Sequence, residues 1–190
     1  MTQRVSDSEM ERAMKIARFA KHQHAVMERV LKGSLDPEEV IRAVQALIDR
    51  GGKCITVDYG MSLADKITAG RYDWANDRIV STYFPILGSG KVELSVELAH
   101  FDRNISTDDA AKELHRRGLR PATLAELLAY GALFPEDQRK FPIVALGTEA
   151  LFGGDRRVAC LYGDGSERCL DLRWVGDAWD GHFRFLAVRN

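Results

Sequence analysis

Apolar residues at three- and four-residue steps open the chain. Met10, Ala13, Ala17, Ala20, His24, Met27 and Leu31 form one stripe, and Ile16, Phe19, Val26 and Val30 form a second. The spacing predicts a helix from Ser6 or Asp7 to about Lys32. Two stripes make a face wider than a surface helix needs. It is either buried under the main domain or the seam of a helical oligomer. Gly33-Ser34 breaks this helix and Asp36-Pro37-Glu38-Glu39 opens another. Asp36 caps it, and Pro37 takes the first helical position, where a missing N–H costs nothing. Val40, Ala43, Val44, Leu47 and Ile48 form its apolar face, and Gly51-Gly52 ends it. Residues 1–52 therefore read as an N-terminal helical hairpin.

From Lys53 the pattern changes. Cys54-Ile55-Thr56-Val57 favours a strand, Ser62–Ala69 a short helix ended by Gly70, and Tyr72–Asp77 a loop pinned by aromatics. Pro85 and Gly88-Ser89-Gly90 mark a turn. In Lys91–Phe101, Val92, Leu94, Val96 and Leu98 alternate with Glu93, Ser95, Glu97 and Ala99, the period of a strand with one wet face. Two capped helices follow. Ser106 starts one that stops at Gly118, and Thr123 with Glu126 forms a capping box for the second. Phe141–Gly147 reads as a buried strand. Val158–Tyr162 and Glu167–Trp174 flank Gly163-Asp164-Gly165-Ser166, and an Asp-Gly loop would set Cys160 opposite Cys169. A cross-strand disulfide is then sterically open, with two packed thiols the expected state in a reducing compartment. The last strand is Phe183–Val188.

Composition narrows the function only slightly. The 190 residues carry 27 basic and 28 acidic side chains, so no basic excess demands nucleic acid. No stretch approaches the ~20 apolar residues of a membrane span. Met1–Asp7 lacks the apolar core of a signal peptide, so a cytoplasmic location is expected. Three cysteines do not make a secreted disulfide framework. Phosphate-binding loops, dinucleotide fingerprints, nucleophile elbows and zinc-protease helices are all missing from the sequence. His22 and His24 fall on different helical faces, and nothing in the spacing pairs Cys54 with His100 or His115 as nucleophile and base. No catalytic residue, metal site or cofactor is expected.

One segment stands out. Leu170, Leu172 and Trp174 share one face of a strand, and Asp171, Arg173 and Val175 share the other. Trp174 and Trp179 bracket a Gly/Asp-rich loop. Both tryptophans read as inward scaffold residues, with the side chains among them pushed toward solvent. The candidate ligand-binding set is Asp171, Arg173, Val175, Gly176, Asp177, Asp180, Gly181, His182 and Phe183.

From Lys91 onward the order of elements resembles a C-type lectin-like domain. The likeness rests on Asp109–Leu114, Gly118–Leu128, Trp174 and the closing Arg184–Arg189. It implies an α+β fold: the helical hairpin of residues 1–52, then a domain over 53–190 with its lectin-like core at about 91–190. The disulfides and calcium-binding triplets of animal lectins are missing, so the resemblance does not extend to calcium-dependent sugar binding. Within that fold the spacing Leu170-x-Leu172-x-Trp174, then Trp179 and Arg184-Phe185, is similar to the variable proteins of bacterial and phage diversity-generating retroelements. Those proteins diversify ligand-contacting positions near the C-terminus through adenine-directed mutagenesis of asparagine-type codons. This resemblance implies a non-catalytic binding protein for a protein or other macromolecule. The apolar stripes of the first helix leave a homo-oligomer through the N-terminal helices open, and charge and hydropathy lead us to expect neither a nucleic-acid nor a membrane partner. Two other classes stay open. One is a small phage or mobile-element enzyme with a site beneath the Tyr72–Trp74 loop. The other is a nucleic-acid-binding accessory protein using the first two helices.

Overall fold

Helix starts among the described residues are set by polar side chains near the first turn. In the computed structural model, which describes residues 52–176 and 178–189, Ser62 Oγ accepts the Asp65 N–H at 3.1 Å and starts α1 (Leu63–Gly70). Ser106 Oγ accepts the Asp109 N–H at 3.1 Å and starts α2 (Thr107–Arg116). At α3 (Leu124–Leu133) the Glu126 carboxylate reaches back to the Thr123 N–H at 2.7 Å. Each bond satisfies a backbone group that the helix leaves without an internal partner. Gly70 is the last residue of α1, and Arg71 takes the left-handed turn with φ 49°.

Among the described residues, eight strands form one mixed sheet: β1 (Lys53–Asp58), β2 (Trp74–Ala75), β3 (Lys91–Ala99), β4 (Leu119–Pro121), β5 (Ile143–Phe152), β6 (Asp155–Asp164), β7 (Glu167–Trp174) and β8 (Arg184–Arg189). The order is β1-β3-β8-β5-β6-β7-β2, with β4 also on β8. β8 runs antiparallel to β3 and parallel to β5, while β5, β6 and β7 form an antiparallel meander. The described helices, β3, β7 and β8 lie within two residues of where the patterning put them. β5 and β6 are longer than expected because a bulge between Ala145 and Glu149 lets their hairpin continue to Phe152 and Asp155.

Successive residues face opposite sides of the sheet, and two cores result. Leu186 and Val188 join Ile143, Leu161, Leu170 and Leu172 beneath α1 and α3. Phe185 and Ala187 join Val144, Cys160 and Val158 with Ala110 and Leu114 of α2. Burying each Leu, Ile or Phe contributes about 1.5–3 kcal/mol, so α2 and α3 are held by opposite faces of the same strands. β3 departs from the expected single wet face. Val96 enters the first core and Ala99 the second.

The β6–β7 turn corrects the expected hairpin. Asp164 pairs with Glu167, which makes Gly165-Ser166 the loop and sets Cys160 opposite Asp171, and Cys169 opposite Tyr162. Gly165 has φ +57° at the first loop position, where a type II′ turn requires glycine. Cys160 and Cys169 are both buried and are not joined. The predicted N-terminal hairpin and oligomer seam lie outside the described residues. Among the described residues no helix is long and apolar enough to cross a membrane.

Candidate functional site

β7 carries the centre of the candidate site. Arg168, Leu170 and Leu172 turn toward the core beneath α3, so Cys169, Asp171 and Arg173 line the other face. Asp171 lies opposite Cys160, and its Oδ1 accepts the Asn76 amide at 2.8 Å. The Arg173 guanidinium sits 5.1 Å from the centre of the Tyr162 ring, a stacked cation–π arrangement. Tyr162, Cys169 and Trp74 occupy one row across three strands. Trp74 is 45% exposed. Five side chains from β2 and the residue after it, β6 and β7 thus form one aromatic and charged patch: Trp74, Asn76, Tyr162, Asp171 and Arg173. Among the described residues, Arg173 Nε is buried without a hydrogen-bond acceptor.

The chain after β7 is pinned at two points. Val175 donates its N–H to the Arg156 carbonyl at 3.1 Å, and its own carbonyl accepts the Thr107 hydroxyl at 2.8 Å. Trp179 is 3% exposed and its indole N–H donates to the same Thr107 oxygen at 2.9 Å. Backbone bonds of 2.9 and 2.8 Å tie Ile105 and Trp179 together. The Trp179 ring meets Phe183 and Phe185 edge-on, with centroids 5.0 and 5.9 Å away. Gly176, Asp180 and His182 stay exposed around these pins. Asp180 Oδ1 accepts the His182 N–H at 2.7 Å and lies 3.2 Å from its Nδ1. The half-buried Gly181 leaves its carbonyl 2.8 Å from His100 Nε2.

The expected residues therefore divide. Asp171 and Arg173 share a face as anticipated and are half-buried, while Gly176, Asp180 and His182 reach solvent. Val175 does not. It is 5% exposed, because the second core and the Thr107 hydroxyl hold it inside. Phe183 is half-buried against Trp179. Asp177 lies outside the described residues. Of the two expected anchors, Trp179 faces inward and Trp174 is 44% exposed. Trp174 has the parity of Leu170 and Leu172, but it is the last residue of β7, opposite Arg157 and past the end of the core. Its indole lies over Gly176, where a Cβ would collide with the ring. Asn76 and Tyr162 were not anticipated as site residues, and Trp74 entered the reading only through the loop over the alternative enzyme site, because the two-residue parallel strand at Trp74–Ala75 leaves no periodic pattern to read.

A cleft of about 400 Å³ adjoins the patch and is lined by Trp74, Asn76, Arg78, Arg157 and Leu172, with Asp77 and Ala75. A second, of about 450 Å³, shares Arg78 and Arg157 and adds Tyr83, Leu151 and Phe152.

Strongly perturbed protonation equilibria lie in the packing around α3, beneath the patch, and at Glu113 on α2. Burial pushes the Glu126 carboxyl up, yet bonds from Arg120, the Thr123 N–H and the Tyr59 hydroxyl together hold it below the usual range. Burial, then the bond to Glu126, pushes Tyr59 up to about 12. Burial also raises Cys160 to about 12, against the pull of the nearby Arg173 guanidinium. Among the described residues, no three His, Cys, Asp or Glu side chains gather as a metal site. No protein-family model matches the chain, and neither a curated protein nor a solved structure matches it.

Proposed function

We propose that this chain is a non-catalytic binding protein that presents a ligand-contacting surface on a C-type lectin-like scaffold, in the manner of the variable proteins of diversity-generating retroelements. The observation that carries this reading is the division of labour along residues 170–183. Leu170, Leu172, Val175 and Trp179 are buried and bonded. Asp171, Arg173, Gly176, Asp180 and His182 stand between them, half-buried or exposed. A surface whose variable positions are separated from its packing positions can change its contacts without losing its fold. The order of elements supports the scaffold: β3, two helices, a meander, and β8 returning antiparallel beside β3. Asp171 and Arg173, with Tyr162 and Trp74, supply the aromatic and charged contacts that dominate recognition surfaces.

The test is deep sequencing of the 3′ coding segment in a growing host population, together with its flanking DNA. The reading expects substitutions concentrated at codons 171, 173, 176, 180 and 182, with 170, 172 and 179 constant, and a nearby reverse transcriptase gene with a near-duplicate of the segment. A uniform spread of substitutions, or a locus with neither gene nor duplicate, overturns it.

A further inference from the structure

Among the described residues, the outer edge of β7 is covered along only part of its length. β2 pairs with Cys169 and Leu170, and its neighbours donate the Asp73 N–H to the Arg168 carbonyl and the Asn76 N–H to the Leu170 carbonyl, each at 2.9 Å. After Asn76 the chain turns away. In a two-residue hairpin the residues flanking the loop exchange hydrogen bonds, so alternate residues of β7 aim their backbone groups away from β6. With Asp164 opposite Glu167, those residues are 168, 170, 172 and 174. The bonds to Arg168 and Leu170 follow this rule. Leu172 and Trp174 have the same orientation, and no described residue bonds to their outward N–H and C=O groups.

This open edge borders the cleft of Trp74, Arg78, Arg157 and Leu172. Arg157 lies opposite Trp174 on β6, with Asp155 at 3.6 Å. Arg78 makes no ion pair among the described residues and sits 5.7 Å from the Phe152 ring centre. Asp77 is the other acidic residue lining this space. Proteins guard exposed edges with lysine, proline or bulges, and neither Leu172 nor Trp174 is such a device.

We propose that the β7 edge at Leu172 and Trp174 accepts an extended acidic peptide as an added strand, with Arg78 and Arg157 receiving its carboxylates. Main-chain bonds supply the affinity of such a complex and alternate side chains its specificity. Side chains of the incoming strand on the cleft side meet two guanidinium groups, so acidic residues two apart fit best. The edge uses the backbone of β7 and not the side chains of Asp171 and Arg173, while its cleft shares Trp74 and Asn76 with the patch described above.

The experiment is an amide NMR titration of the full chain with a synthetic heptapeptide, Thr-Glu-Val-Glu-Val-Glu-Thr. Its controls are the Lys-for-Glu peptide and two peptides N-methylated at alternate amides. The acidic peptide is expected to shift the Leu172 and Trp174 amides, with about tenfold weaker binding for the Lys peptide and for the Arg78→Ala/Arg157→Ala variant. One phase of N-methylation abolishes the shifts and the other preserves them. The proposal is overturned if these amides do not move at about 1 mM peptide, or if neither methylation phase matters. It is equally overturned if the amides shift with protein concentration alone, which would make a second copy of the chain the occupant.

Discussion

The Arg168 guanidinium donates to the Gly70 carbonyl at 2.7 Å and to the Gly131 carbonyl at 2.8 Å, so one side chain closes the C-terminal ends of both α1 and α3. Helix C-termini carry partial negative charge, and a cation placed between two of them is favoured by both. Gln138 completes the arrangement. Its Oε1 accepts from Arg168 at 3.0 Å, and its Nε2 donates to the carbonyls of Tyr162 and Cys169 at 2.9 and 3.2 Å. Arg168 is 6% exposed.

Replacing Arg168 with Met strands two helix-end carbonyls and the Gln138 amide in the interior. The expected cost is about 3 kcal/mol, measured as a fall in the urea midpoint. Arg168→Lys recovers less than half of it, because an ammonium cannot reach both carbonyls with a planar fork.

Acid should loosen the protein through Glu126. Its carboxyl is 1% exposed and is gripped by Arg120 at 2.7 and 3.0 Å and by the Tyr59 hydroxyl at 2.8 Å. Its folded pKa lies below the ordinary 4.5. The network therefore contributes fully above that pH, and its contribution is lost as pH falls through the folded value. Glu113 follows the same sign, held near 2 by its bonds to Arg116 and Arg117. Urea midpoints measured from pH 7 to pH 3 should fall for the parent and fall less for Glu126→Gln. That variant should also lose about 2 kcal/mol at neutral pH. Glu113→Gln serves as the exposed control.

Thr107→Val keeps the shape of the residue and removes its hydroxyl. The Trp179 indole N–H then loses its acceptor and the Val175 carbonyl its donor. A loss of about 2 kcal/mol is expected, with faster hydrogen exchange at the Ile105 and Trp179 amides. Unchanged exchange there would mean that the Thr107 oxygen does not hold the segment.

Cys160 should resist alkylation in the native protein. Burial pushes its thiol up to about 12, so little thiolate forms at pH 8. Iodoacetamide should leave Cys160 unlabelled until urea is added. Mild oxidation should not join it to Cys169, since the two face Asp171 and Tyr162 across the hairpin rather than each other.

Local signals in the sequence were legible because their physics is local. Ser62, Ser106 and Glu126 announce their helices through bonds that span three residues. The period-two pattern of residues 167–174 defines both the strand and its two faces. The hairpin register was not legible for the same reason. Pairing Cys160 with Cys169 or with Asp171 puts identical residues on each face, so hydrophobic alternation cannot separate the two, and the Asp-Gly preference pointed to the other one. Trp174 shows a further limit. Parity says which way a side chain points but not where the core ends. Arg168 joins elements about a hundred positions apart, and a lone arginine in a strand carries no mark of that role. Trp74 and Asn76 entered the patch through a parallel pairing set by long-range topology.

The sheet's middle is made late and its flank early. β8 separates β3 from β5, and β7 separates β6 from β2. A ribosome delivering this chain therefore releases β2 and β3 long before the strands they need. The β5–β6–β7 meander, joined by short turns, can assemble as it emerges. Closure of the sheet waits for Arg184–Arg189, the segment that must slide between two partners already in place. Long-range pairing of this kind slows folding, so the nascent protein spends its most vulnerable interval with β3 and the β5 edge both open to the wrong neighbour.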